Sequence, residues 1–220
     1  MFCAPVAGPI TVTLPAAASN TGRIYYIKKT DGTPNTITID GNGAETIDGA
    51  TTLVLYVQYD AVRIYCNGSN WYILEDQIHP HMCKLRRSTA QTINNSTYTN
   101  IAFNTEDYDV GNIGDITTDN RVEIQRDGLY QITATWITTA VMDDNEEVTG
   151  YIQINGTRYT RGLETSGGTN FILGSTSSVT LELSAGDYID FEVWQNEGSS
   201  ITTSTTNDQS NPCIQVREIR

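Results

Sequence analysis

The chain has 220 residues, and its 13 Lys and Arg against 26 Asp and Glu give a formal net charge of −13. That charge repels a phosphate backbone, which argues against nucleic acid as a partner. The hydrophobic share of 38% suffices for packed cores, but no run approaches the roughly 18 apolar residues of a membrane-spanning helix, so membrane insertion is not expected.

The opening stretch, MFCAPVAGPITVTLP, carries no basic segment and no uninterrupted apolar core, and so does not read as a secretory signal. Alternation begins with Ile10, Val12 and Leu14, continues at Ile24 and Ile27, and becomes nearly continuous in LVLYV from Leu53 to Val57. Between these, Thr-Ile-Asp-Gly occurs twice, at 38–41 and 46–49. Each copy reads as a strand end followed by an Asp-Gly reversal, because Thr and Ile favour a pleated surface while Gly tolerates positive φ. RIYCNGSNWYIL predicts two strands joined at Asn67-Gly68. Residues 1–75 therefore read as one all-β unit. Its hairpins are too short to bury enough apolar surface alone, so neighbouring chains are expected to cover them.

Residues 76–89 break the alternation and read as a linker, holding both histidines of the protein and a local cluster of positive charge. From 90 to 220 the alternation resumes over a length suited to a single β-sandwich. Val122 and Ile124 share a face, a turn follows at Asp127-Gly128, and a long strand runs through Tyr130, Ile132 and Ala134. A hairpin is predicted around Asn155-Gly156, then Val179, Leu181 and Leu183 alternate before a turn at Gly186, and Ile189, Phe191 and Val193 after it. CIQVREI reads as the final strand. Cys3, Cys66, Cys83 and Cys213 lie far apart without a CxxC pair, which fits assembly in a reducing cytoplasm. Cys66 and Cys213 adjoin apolar strand residues and read as small buried hydrophobes.

The order NIAFNTEDYDVGN, RVEIQRDGLYQITATW, a hairpin, SVTLELSAGDYIDFEVWQ and a closing strand resembles the globular head of the C1q and tumour-necrosis-factor superfamily. Gly-Leu-Tyr after a short strand and Ala-Gly-Asp before a long one are the most specific phrases. The resemblance covers roughly 90–220. It implies a ten-stranded jelly roll that associates as a trimer through an apolar face. Residues 9–74 are similar to a module of tail-fibre and head-fibre proteins of tailed bacteriophages, through Val12 to Pro15, Gly22-Arg23, Thr46 to Gly49 and Asn70-Trp71.

The sharpest candidate for chemistry is His79-Pro80-His81, with Cys83 beside it. One such pair is a poor metal site, but three copies on a threefold axis would offer up to six imidazole nitrogens to one octahedral transition metal. Some trimeric phage fibres hold iron in this way, although the intervening proline departs from their pattern. Asp143, Asp144, Glu146 and Glu147 form an oxygen-rich patch of the kind that binds calcium, without the glycine of an EF-hand loop, and a solvated acidic loop is the favoured reading. No GxSxG elbow or phosphate-binding GxxxxGK[ST] loop is present, and two linker histidines are poorly placed to serve a catalytic triad. Trp71, Trp136, Trp194, Tyr108 and Tyr159 are candidates for stacking on sugars, with core packing the favoured role. Recognition is expected instead in the apical loops ETSGGTN and QNEGSSITTSTTNDQSN.

The resulting expectation is a non-enzymatic, all-β homotrimer on the virion surface of a tailed phage, assembled in the host cytoplasm. A small β fibre module at 1–75 would contact other virion proteins, capsid or tail. A C1q/TNF-like jelly-roll head at 90–220 would bind a host-surface glycan or protein. The alternatives are a capsid decoration protein, a secreted C1q-like ligand and a glycan-degrading enzyme.

Overall fold

The computed structural model describes residues 1–165, 172–205 and 211–220. Two compact units emerge, Met1–His79 and Pro80–Arg220, each with its own hydrophobic core.

The first unit contains β1 (Phe2–Cys3), β2 (Ile10–Thr13), β3 (Ile24–Lys29), β4 (Ile37–Asp40), β5 (Thr52–Leu55), β6 (Ala61–Cys66) and β7 (Trp71–Gln77). These form a four-stranded sheet in the order β1-β3-β6-β7 and a three-stranded sheet in the order β2-β4-β5. Inward-facing Leu14, Ile27, Ile37, Leu55, Ile64 and Trp71 fill the space between them.

The two Thr-Ile-Asp-Gly phrases do different work. At Asp48-Gly49 φ is +48° and +92°, and the Ile47 and Ala50 backbones bond across a two-residue reversal. At Gly41 a side chain is excluded by proximity instead, since a Cβ there would lie 2.1 Å from the Glu45 carbonyl oxygen. Ile39 and Ile47 from the two copies are both buried inside their own unit. The expectation that neighbouring chains cover these hairpins is therefore corrected: the second sheet supplies the cover. Asn67-Gly68 also differs from the two-residue turn expected, because Cys66 pairs with Trp71 across a longer loop. There the Asn67 carboxamide oxygen accepts the N–H groups of Ser69 and Asn70.

The second unit contains β8 (Met82–Arg86), β9 (Thr92–Ile93), β10 (Thr99–Asn100), β11 (Thr105–Val110), β12 (Gly114–Asp115), β13 (Arg121–Glu123), β14 (Gly128–Ile137), β15 (Glu147–Ile154), β16 (Thr157–Thr165), β17 (Gly174–Leu183), β18 (Tyr188–Gln195), β19 (Ile201–Thr202) and β20 (Cys213–Ile219). One sheet runs β11-β8-β20-β14-β17; the other runs β12-β13-β18-β15-β16, with β10 also on β18. Strands adjacent in sequence repeatedly pass to the opposite sheet, which makes the unit a jelly-roll sandwich rather than a set of hairpins. Phe103, Tyr130, Ile132, Trp136, Phe191 and Ile214 fill its core.

Residues 76–89, expected as a linker, instead carry the end of β7 and the whole of β8, which lies between β20 and β11. The charges of Lys84 and Arg86 mask a strand, because Cys83 and Leu85, which alternate with them, are buried in the core. Asp127-Gly128 and Gly186 are crossings between sheets, and each is fastened. The Tyr130 hydroxyl donates to the Arg126 carbonyl at 2.9 Å, and the Ala185 N–H donates to Asp127 at 2.8 Å. Asp187 accepts from the Ser184 N–H and from the Asn155 carboxamide, whose own oxygen accepts the Tyr188 N–H. Gly-Leu-Tyr and Ala-Gly-Asp are thus turn fasteners.

The two sheets approach closely at Gly150 and Gly162, which are direct cross-strand partners. Ser177 Oγ donates to the Gly150 carbonyl at 2.7 Å and Ser175 Oγ to the Gly162 carbonyl at 2.8 Å. The serines of β17 thereby stitch one sheet to the other.

Candidate functional site

Each histidine has a defined seat within its own unit. His79 is partly exposed, and its Nδ1 lies 2.8 Å from Asp60 Oδ1. Asp60 is fully buried and also accepts the backbone N–H groups of Tyr56, Val57 and His79, so it organises the approach to β6. The His81 ring is fully buried against Gly111, where an added Cβ would lie 2.4 Å from His81 Cδ2. Its backbone N–H donates to Glu218, which also holds Arg126. His79 fits a metal ligand, because a carboxylate on one ring nitrogen is the usual support of a coordinating imidazole. The enclosure of His81 does not fit a ring that must meet its symmetry copies. Cys83 does not supply a thiolate: burial, with Asp109 and Glu106 nearby, pushes its pKa well above the ordinary range.

Of the aromatic candidates, Trp71 and Trp136 are core residues, whereas Trp194 faces outward from β18 opposite Thr149. Around Trp194 the fold gathers Tyr98, Tyr151 and Arg158 from separate segments. Tyr98 lies 5.8 Å from the Tyr151 ring and 6.3 Å from Trp194. The Arg158 guanidinium stacks 3.4 Å over Tyr98 and bonds Glu192. An extra residue in β16 creates a bulge at Tyr159, and Tyr159 stands 60% exposed beside Arg158. The result is an array of aromatic and guanidinium groups on the outer face of one sheet, with the Tyr98 and Tyr151 rings meeting edge-on at 64°. Tyr108 lies elsewhere, on β11 of the other sheet.

The oxygen-rich loop at 142–148 turns inward on itself. The Glu146 carboxylate accepts the Asp143 N–H, and Glu147 faces Arg161 at 3.9 Å. Among the described residues a tighter group of acids is Asp115, Asp119 and Glu123. It already contains its cation: Arg121 lies 3.0 Å from Asp119 and 2.9 Å from Glu123, over the Tyr188 ring. The Asp115 carboxylate receives the N–H groups of Thr118, Asp119 and Thr117, which lower its pKa to about 2. Of the apical loops, residues 166–171 and 206–210 lie outside the described residues. Cys66 is buried as expected, but Cys213 is half-buried, with Sγ 3.3 Å from the Thr135 hydroxyl on an outer sheet face.

No family model and no curated protein matches this sequence. Similar solved structures include murine APRIL at pH 5.0, with 12% identity, a TM-score of 0.49 and coverage of 64% of this chain and 100% of that one. Eiger TNF from S. frugiperda shows 10% identity and a TM-score of 0.46, covering 64% of this chain and 94% of that one. The globular domain of zebrafish complement 1qA shows 10% identity and a TM-score of 0.46, covering 64% of this chain and 98% of that one.

Proposed function

We propose that the chain is a non-enzymatic homotrimeric surface fibre of a tailed bacteriophage, held on the virion by residues 1–79 and binding a host-surface ligand through residues 80–220. The observation that carries the binding assignment is the outward array of Tyr98, Tyr151, Trp194, Arg158 and Tyr159. Large aromatic faces and guanidinium groups present broad contact area at low entropic cost, and they dominate the energetics of recognition surfaces. Association of three copies adds avidity, so a weak contact at each copy is sufficient.

The deciding experiment measures adsorption of the labelled full chain to host cells and to particles lacking the protein. Wild type is expected on cells, with Tyr98→Ala/Tyr159→Ala reducing adsorption at least about tenfold while folding normally. Binding to bare capsids with indifference to cells would overturn host recognition and favour capsid decoration.

A further inference from the structure

Among the described residues, the exposed apolar side chains on the outer face of the second unit's β14 and β20 are Leu129 and Ile219, a cross-strand pair at one end of the sheet. On the outer face of the β11-β8-β20-β14-β17 sheet, the centre is polar: Gln131, Thr133 and Thr135 of β14 lie beside Ser178, Thr176 and Gln215 of its neighbours. The other sheet's outer face is the aromatic, arginine and carboxylate array already described.

The first unit is different. In its four-stranded sheet Ile27, Val62, Ile64 and Trp71 turn inward and are buried. The alternate positions turn outward with nothing over them: Phe2 is 74% exposed, Leu74 52%, Ile24 46%, Tyr26 43% and Tyr72 41%. They are not scattered. Ile24 pairs with Tyr65 and Tyr65 with Tyr72, making one apolar row across three strands, while Tyr26 pairs with Arg63. A bulge places Leu74 and Glu75 together opposite Arg63.

We propose that this outer face of β1, β3, β6 and β7 is the surface through which copies of the chain associate, three such faces turned toward a common axis. The proposal rests on the trimeric reading above and names the surface responsible for it.

Three observations select a second copy as the occupant. Half-exposed side chains of this size leave on the order of 500 Å² of apolar area, and a standard interface of about 800 Å² per partner is roughly 60–65% apolar. The patch therefore matches the apolar part of one complete interface. Charge also permits self-association here. Residues 1–79 hold 4 Lys and Arg against 7 Asp and Glu, whereas residues 80–220 hold 9 against 19, so most of the like-charge repulsion belongs to the second unit. Finally, the charges on the face offset one another, with Lys28 on β3 and with Glu75 on the edge strand β7 lying 4.0 Å from Arg63 of β6.

Sedimentation equilibrium of the full chain tests this. Wild type is expected at three times the 24.2 kDa chain mass. Phe2→Ser/Tyr26→Ser/Leu74→Ser should weaken association at least about a hundredfold, while Leu129→Ser/Ile219→Ser on the second unit leaves it unchanged. If the second variant dissociates and the first does not, the trimer stands and this assignment of its surface falls. Wild type that stays monomeric at every concentration overturns both. Should the triple variant fail to fold, side-chain footprinting of wild type on dilution replaces it. Tyr26, Tyr72 and Leu74 are expected to gain reactivity severalfold as assembly is lost, and no gain at those positions refutes the proposal.

Discussion

Gly162→Ala is expected to damage the sandwich severely although it adds one methyl group. The new Cβ would lie 2.2 Å from the Thr176 carbonyl oxygen and 2.6 Å from its carbon. Both atoms are backbone, so no rotamer change relieves the clash, and β17 itself must retreat. Overpacking of this kind costs about 1–3 kcal/mol. Retreat of β17 also breaks Ser175 Oγ to Gly162 and Ser177 Oγ to Gly150, with each lost bond and stranded hydroxyl adding about 1 kcal/mol. The total is about 3–5 kcal/mol. For a unit of about 140 residues, an unfolding entropy near 2.1 cal/mol/K per residue turns this into a fall of about 10–17 °C in Tm. Differential scanning calorimetry reads it directly. Gly128→Ala is the control, because there the nearest atoms lie 3.5 Å away, ordinary contact, and it should shift Tm by no more than a few degrees. Equal melting of Gly162→Ala and wild type would refute the close-approach account of the sheet junction.

Asp190 lies half-buried on the outer face of the second sheet, and burial raises its carboxyl pKa, with Asp119 and Glu192 adding to the rise against Arg121. A raised carboxyl means the native state penalises the charged form, fully above the folded pKa and not at all below the ordinary value near 3.9. Asp190→Asn should therefore raise Tm at pH 7, and the gain should vanish in melts below about pH 3.5. Asp60→Ala strands three backbone donors and the His79 ring, at about 2–4 kcal/mol; calorimetry should show the first unit's transition lowered and the second's unmoved. An axial metal site built from His79 and His81 requires one transition-metal ion per three chains by elemental analysis. Finding none, with the wild-type melt unchanged by chelator, leaves His79 in its structural contact with Asp60.

Much of the architecture was legible because alternation reports burial directly: Val122, Ile132, Leu183, Ile189 and Phe191 all lie in the core that their period-two spacing implied. The Asn155-Gly156 hairpin was equally plain, with φ of +51° and +74° at its two turn residues. Strand β8 was hidden by its charges, since Lys84 and Arg86 outweigh Cys83 and Leu85 in any reading of local polarity. The aromatic array was hidden for another reason. Tyr98, Tyr151, Arg158 and Trp194 come from four separate segments, and the register of β15 with β16 and β18, together with the pairing of β10 on β18 next to Tyr98, brings them together. Nor could spacing show that Ile39 and Ile47 find cover within their own unit, because that depends on how two sheets pack.

The position of β20 between β8 and β14 sets an order of events during synthesis. The ribosome makes β8 and β14 long before β20, and until residues 213–219 emerge these two strands have no common neighbour. Their facing N–H and C=O groups remain open edges, competent to pair with any extended chain nearby. Residues 1–79, with both of their sheets already translated, can complete their fold during that interval. A nascent chain therefore carries a finished first unit tethered to an unfinished sandwich, and chains brought together at that stage would hold several incomplete sandwiches at high local concentration. Pairing of β20 with both β8 and β14 closes those edges and so removes the template for strand exchange.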